Sequence, residues 1–132
     1  MFENKSKDTT AKINIPVMEI DIDTAVPFGL ALNELLTNSF KYGHTTDNSF
    51  TIEMRLTSEK YDREEGNKYI FVYSDTGPGL PAGFDLKKSK SLGMRLVNDL
   101  SKQMGGSMRY TFEKGSRFTI LFSDKKARKK ND

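Results

Sequence analysis

Apolar and polar residues alternate strictly through Phe50, Ile52, Met54 and Leu56, with Thr51, Glu53, Arg55 and Thr57 between them. A period of two is that of a strand with one face buried. After the polar run of residues 58–67, which reads as a hairpin connection, residues 69–74 form a second strand. Ile70 and Val72 lie on one of its faces, and Phe71 and Tyr73 lie on the other. Apolar residues on both faces place this strand centrally, with both sides covered. Residues 107–112 and 117–122 read as a hairpin around Glu113-Lys114-Gly115-Ser116. Nearer the start, residues 12–21 alternate imperfectly through Ile13, Ile15, Val17, Met18 and Ile20, interrupted by Pro16. They read as one strand or two short edge strands.

Spacings of three and four mark two helices. Across residues 24–42, Phe28, Leu32, Leu35, Leu36 and Phe40 form an apolar stripe. Thr24 is placed to cap this helix, and Pro27 falls in its first turn, where a missing N–H breaks no bond. In the second helix Ser91 stands at the cap, Leu92, Leu96, Val97, Leu100 and Met104 form the stripe, and Gly105-Gly106 ends it. The order predicts an α+β fold. Its architecture is a two-layer sandwich, a mixed and mostly antiparallel sheet with helices packed on one face. Residues 1–11 read as a flexible segment, 12–124 as a single folded domain and 125–132 as a basic tail.

A length of 132 residues suffices for one such core and is too short for two. The content, 36% apolar and 30% charged, is that of a soluble globular protein. The formal charge of +3 belongs to the tail. Lys125, Lys126, Arg128, Lys129 and Lys130 face only Asp132 there, while the other 124 residues carry 16 cations and 17 anions. With no basic stripe and interleaved aromatics in the body, no nucleic-acid partner is expected. Lack of a long apolar run predicts no membrane insertion in this segment, and the chain reads as cytoplasmic whether or not a parent protein is membrane-anchored. Zero cysteines exclude disulfides, thiolate metal sites and thiol nucleophiles, and a lone His44 builds no histidine cluster.

Candidate chemistry lies in three stretches. Glu34, Asn38 and Lys41 fall at i, i+4 and i+7, so a carboxylate, an amide and an ammonium line one side of the first helix, with Asn33 beside them. The amide oxygen of Asn38 is a hard ligand suited to magnesium, Lys41 can meet a phosphate, and Glu34 can orient or deprotonate an attacking group. A solvated helix face has the same spacing. The second stretch is Asp75-x-Gly77-x-Gly79, a carboxylate at a strand end followed by glycines that let backbone approach a ligand. Such a carboxylate accepts hydrogen bonds and suits the amine of adenine, although a plain turn has the same composition. The third, Ser91-Leu92-Gly93-Met94-Arg95-Leu96-Val97, opens the second helix, whose free N–H groups and dipole favour phosphate. Lys87, Lys88 and Lys90 before it serve either phosphate or solubility.

Together these stretches resemble the ATP-binding domain shared by gyrase-type topoisomerases, the large heat-shock chaperone, MutL-type repair proteins and sensor histidine kinases, the Bergerat fold. Asn33-Glu34-Leu35-Leu36-Thr37-Asn38-Ser39-Phe40-Lys41-Tyr42 is similar to its N-box, residues 75–79 to the first glycine box and residues 91–97 to the second. Gly115-Ser116-Arg117-Phe118 stands where members often carry Gly-Thr-x-Phe. Within the superfamily the chain most resembles histidine-kinase catalytic domains of the subgroup with Glu in the N-box. The resemblance covers residues 12–123.

The resemblance implies ATP and Mg²⁺ as ligands. Asn38 would hold the metal, and Asp75 would read the adenine amine. Glu34 would sit where gyrase-like members keep a water-activating glutamate. Gly77 and Gly79 would border the adenine, with Leu80 beside them. Ser91, Leu92, Gly93 and Met94 would hold phosphate, Lys41 and Tyr42 would line the pocket, and Ser116 would reach the adenine side through water. No separate phenylalanine box is evident between the glycine boxes, although Phe84 lies there, so the lid is short. His44, in a loop after the N-box, is not expected to be the phospho-acceptor. The implied activity is transfer of the ATP γ-phosphate to a histidine on a separate domain or protein, with a response regulator downstream. A serine kinase and binding regulator of the anti-sigma type is the alternative. An ATP-driven clamp of the gyrase or chaperone kind is disfavoured by the missing extra domains.

Overall fold

The computed structural model describes residues 9–16, 19–43, 50–58, 67–78 and 92–124, with the side chains of 42, 43 and 92–94 left out. In chain order these are strand β1 (Thr9–Asn14), helix α1 (Ile22–Asn38) continued by a π-helical turn (Ser39–Gly43), strands β2 (Phe50–Ser58) and β3 (Asn67–Asp75), helix α2 (Leu92–Gln103), and strands β4 (Ser107–Phe112) and β5 (Ser116–Asp124). The five strands form one sheet in the order β1-β2-β3-β5-β4. β1 runs parallel to β2 and every other pair is antiparallel. This is the expected mixed, mostly antiparallel α+β sheet.

β2 buries Phe50, Ile52, Met54 and Leu56, as its alternation demands. β3 sits at the centre of the sheet, but only Tyr69, Phe71, Tyr73 and Asp75 are buried there. Ile70 and Val72 are half-buried, so the expectation of two covered faces is corrected: the helices pack on one side. Phe28 of α1 meets Phe71 edge-on at 4.9 Å and Phe122 at 5.4 Å, which seats the helix over β3 and β5. Complete burial of each such side chain contributes about 1.5–3 kcal/mol. Val97, Leu100 and Met104 of α2 close the core beside it, with Leu96 partly buried.

The first helix starts earlier than its composition suggested. Asp21, not Thr24, is the N-cap, and its carboxylate accepts the N–H of Asp23 at 2.9 Å. Thr24 is instead buried and donates to Asp124 Oδ1 at 3.3 Å, while Asp124 Oδ2 accepts the N–H of Asp21 at 2.9 Å. A carboxylate from the last residue of β5 thus pins the start of α1 to the sheet. Phe40, expected in the core stripe, is 56% exposed. The buried place one turn past Leu35 goes to Ser39, because a 3.6-residue period carries the stripe to i+4 there and not to i+5. The first strand also differs: it spans Thr9–Asn14, so residues 9–11 are ordered and residues 19–21 are not in a strand.

Glycine is required at the end of α2 for two different reasons, a left-handed backbone and a close approach. Gly105 ends α2 with φ +75°, and the N–H of Gly106 returns to the carbonyl of Ser101 at 3.0 Å. A Cβ on Gly106 would lie 1.5 Å from the carbonyl oxygen of Leu121. In the β4–β5 turn, Lys114 and Gly115 both have positive φ, 61° and 146°.

Candidate nucleotide site

The end of α1, the end of β3 and the start of β5 converge. Ser39 links the first two: its hydroxyl donates to Asp75 Oδ2 at 2.6 Å and lies 2.6 Å from the hydroxyl of Tyr73. The other carboxylate oxygen, Oδ1, accepts the N–H of Gly77 at 3.0 Å. Asp75 is only 7% exposed, yet each oxygen retains acceptor capacity, since a carboxylate offers about four lone-pair sites. Register places Ser116 directly opposite Asp75; it is buried, and Tyr110 lies 3.3 Å from its hydroxyl. The turn can approach because a Cβ on Gly115 would fall 2.2 Å from the carbonyl oxygen of Asp75. Thr76 is tied to β2 through the carbonyl of Thr51 at 3.1 Å.

On α1, Glu34 and Asn38 are half-buried, whereas Asn33 and Lys41 are exposed. Asn38 immediately precedes Ser39, so the hydrogen bond of Ser39 to Asp75 puts its backbone at the same end of the sheet. The structure therefore brings Asn38, Asp75, Gly77 and Ser116 to one end. Gly79, Leu80 and Ser91 lie outside the described residues, as do His44, Phe84, Lys87, Lys88 and Lys90. Leu92, Gly93 and Met94 lie in the first turn of α2, with their side chains outside that description, and the same holds for the side chain of Tyr42 in the π turn. Ser39 and Tyr73 are the residues that reading by motif missed. Ser39 had one available signal, its place four residues after Leu35 on the buried face.

Burial pushes the Tyr73 phenol up to about 12, and the charge of Asp75 adds to it. A pKa raised on folding means that the native state favours the protonated phenol. Its contribution is complete below pH 10 and is lost as pH rises through about 12. Between those values the wild type is expected to lose about 2 kcal/mol more stability than Tyr73→Phe. Urea unfolding of both proteins at stepped pH measures the difference; parallel curves would refute the assignment. A groove of ≈ 440 Å³ at the opposite end, lined by Lys68, Gly106 and Phe122 among others, holds none of the candidate residues.

Residues 24–126 match the model of the histidine kinase-, DNA gyrase B- and HSP90-like ATPases. The chain belongs to this family. Among the curated members, it is 26% identical over 115 residues to blue-light-activated histidine kinase 2 of Erythrobacter litoralis, covering 86% of the chain and 31% of that protein. To the sensor histidine kinase PdtaS of Mycobacterium tuberculosis it is 32% identical over 103 residues, covering 74% of the chain and 19% of that protein. The chain thus spans a third or less of the length of these relatives. Its fold matches the histidine kinase domain of the Erythrobacter litoralis EL346 blue-light-activated kinase with a TM-score of 0.80 at 19% identity, over 97% of this chain and 57% of that one. This family is defined by use of ATP. Among the described residues, no helix is long and apolar enough to cross a membrane.

Proposed function

We propose that this chain is the ATP-binding catalytic domain of a sensor histidine kinase, and that it presents the γ-phosphate of ATP to a histidine on a separate domain or protein. The observation that carries the reading is the buried Asp75 carboxylate, held by Ser39 and the Gly77 N–H with acceptor capacity to spare. A buried acceptor so held suits one donor, and the amine of adenine is that donor. In the transfer, an imidazole nitrogen of the acceptor forms a bond to the γ-phosphorus, the β–γ bridging P–O bond breaks and ADP leaves. Little covalent work falls to the protein, so positioning and charge neutralisation dominate.

The remaining roles are those that the resemblance implies. Asn38 would supply an amide oxygen to Mg²⁺, which when bound would neutralise phosphate charge. Lys41 and Tyr42 line the nucleotide pocket, and Ser91, Leu92, Gly93 and Met94 hold phosphate with the free N–H groups that a helix start offers. Gly77, Gly79 and Leu80 border the base, and Ser116 meets it through water. Glu34 orients the attacking group. A response regulator takes the phosphoryl group onward.

Calorimetric titration with ADP and ATP, with and without magnesium, tests the site. Adenine nucleotide binding strengthened by magnesium is expected, and Asn38→Ala is expected to remove the magnesium-dependent gain. Unchanged magnesium dependence in that variant would sink the metal role. Incubation with a candidate acceptor separates the activities: an acid-labile phosphohistidine supports the proposal, and an acid-stable phosphoserine supports the anti-sigma type of kinase instead.

A further inference from the structure

We propose that Tyr73 and Ser39 form a directed hydrogen-bond relay that holds Asp75 as an acceptor-only group, and that this relay gives the site its selection for a 6-amino purine over a 6-oxo purine. The inference rests on the reading of Asp75 as the residue that meets the base. Ser39 has a single O–H, and it is given to Asp75 Oδ2 at 2.6 Å. The 2.6 Å contact between Ser39 and Tyr73 therefore has one remaining polarity: the phenol donates and the Ser39 oxygen accepts. The order is Tyr73 to Ser39 to Asp75.

Burial makes the direction persistent. Relative exposure is 0% for Tyr73, 2% for Ser39 and 7% for Asp75, so water has little access to compete for any of the three. The phenol keeps its proton through the physiological range, because burial raises its pKa to about 12. The Gly77 N–H completes the set on Oδ1 at 3.0 Å. Both oxygens thus accept from the protein, and what remains on each is a lone pair. The 6-amino group of adenine donates into such a lone pair. The 6-oxo group of hypoxanthine presents a second acceptor, and the two repel.

The relay matters because one donor on each oxygen, Ser39 on Oδ2 and the Gly77 N–H on Oδ1, fixes the plane of the carboxylate and the direction of its remaining lone pairs. A carboxylate released on the Ser39 side can turn about its Cβ–Cγ bond, so its lone pair no longer meets a 6-amino group in line or opposes a 6-oxo group. Removing the far end of the relay should therefore erode discrimination and not merely affinity. Ser39 and Tyr73 are positioning residues in this scheme, since neither needs to touch the nucleotide.

ATP and ITP differ at C6 and at the neighbouring N1, which is an acceptor in adenine and an N–H in hypoxanthine, so the change in their affinity ratio between wild type and variant is the readout. Competition calorimetry on the whole chain is expected to show ATP favoured on the order of 10²-fold or more in the wild type. Tyr73→Phe keeps the ring and removes only the hydroxyl; it is expected to lower that ratio about ten-fold. Ser39→Ala should lower it at least as far, and Ser39→Thr, which restores a hydroxyl, should recover most of it. If Tyr73→Phe weakens ATP and ITP equally, the relay is only a packing element and the inference fails while the ATP-binding reading stands. If the wild type binds neither nucleotide, both fall together. Should Ser39→Ala not fold, Tyr73→Phe decides alone.

Discussion

Asp75→Asn is expected to weaken ATP binding on the order of 10²-fold while the weak affinity for GTP does not fall. The Gly77 N–H requires an acceptor, so the amide oxygen takes the place of Oδ1 and the NH₂ group takes that of Oδ2. That NH₂ then faces Ser39, which can no longer donate to it and must turn its own O–H toward Tyr73. The relay runs backwards, and the phenol O–H of a fully buried tyrosine loses its partner. Toward the base, a charged acceptor has become a neutral group with an N–H, set against the adenine amine. Loss of one charge-assisted bond accounts for about 1.5–3 kcal/mol, and donor opposed to donor adds to it. Competition binding with ATP and GTP measures both arms. Unchanged ATP affinity would remove Asp75 from the base site, and an equal fall for both nucleotides would show a damaged fold.

Gly106→Ala is expected to cost about 4 kcal/mol or more, a large share of the roughly 5–15 kcal/mol that holds a domain of this size. The added Cβ would lie 1.5 Å from the Leu121 carbonyl oxygen, 2.5 Å from its carbon and 3.0 Å from the Cα of Phe122. All three are backbone atoms of a strand whose side chains Ile120 and Phe122 are core, so nothing at the contact can swing aside. Relief requires α2 to lift from β5, which opens the core at Val97, Leu100 and Met104. Gly29→Ala is the matched control. Gly29 is exposed inside α1 with nothing within 4 Å of an added Cβ, so alanine there is expected to stabilise by about 0.5–1 kcal/mol. Urea denaturation of both variants tests the pair; similar midpoints would show that the close approach at Gly106 is not required.

Legibility in the sequence followed the range of the interaction concerned. Period-two alternation announced β2, and spacings of three and four announced both helices, because each pattern records which face of a local element meets the core. The end of α2 at Gly105-Gly106 was equally local, a matter of one left-handed residue. Asp75, Gly77 and Asn38 could be named as candidates because their chemistry is written in short motifs. By contrast, Thr9, Thr10 and Ala11 carry no apolar period, and they become a strand only because β2 offers a parallel edge.

Ser39 and Tyr73 read as ordinary members of a helix and a strand, and nothing near Ser39 in the chain points to Tyr73 or Asp75. Their roles arise across 34 and 36 residues, when the sheet sets α1 against the end of β3. The start of α1 depends on a still longer reach, the 103 residues separating Asp21 from Asp124. The sequence by itself determined the elements, their buried faces and the kinds of chemistry available. Which hydroxyl holds which carboxylate, and hence which way the hydrogen bonds of the site run, was decided only by tertiary structure, because a buried polar group takes the partner that the packed core leaves within its reach.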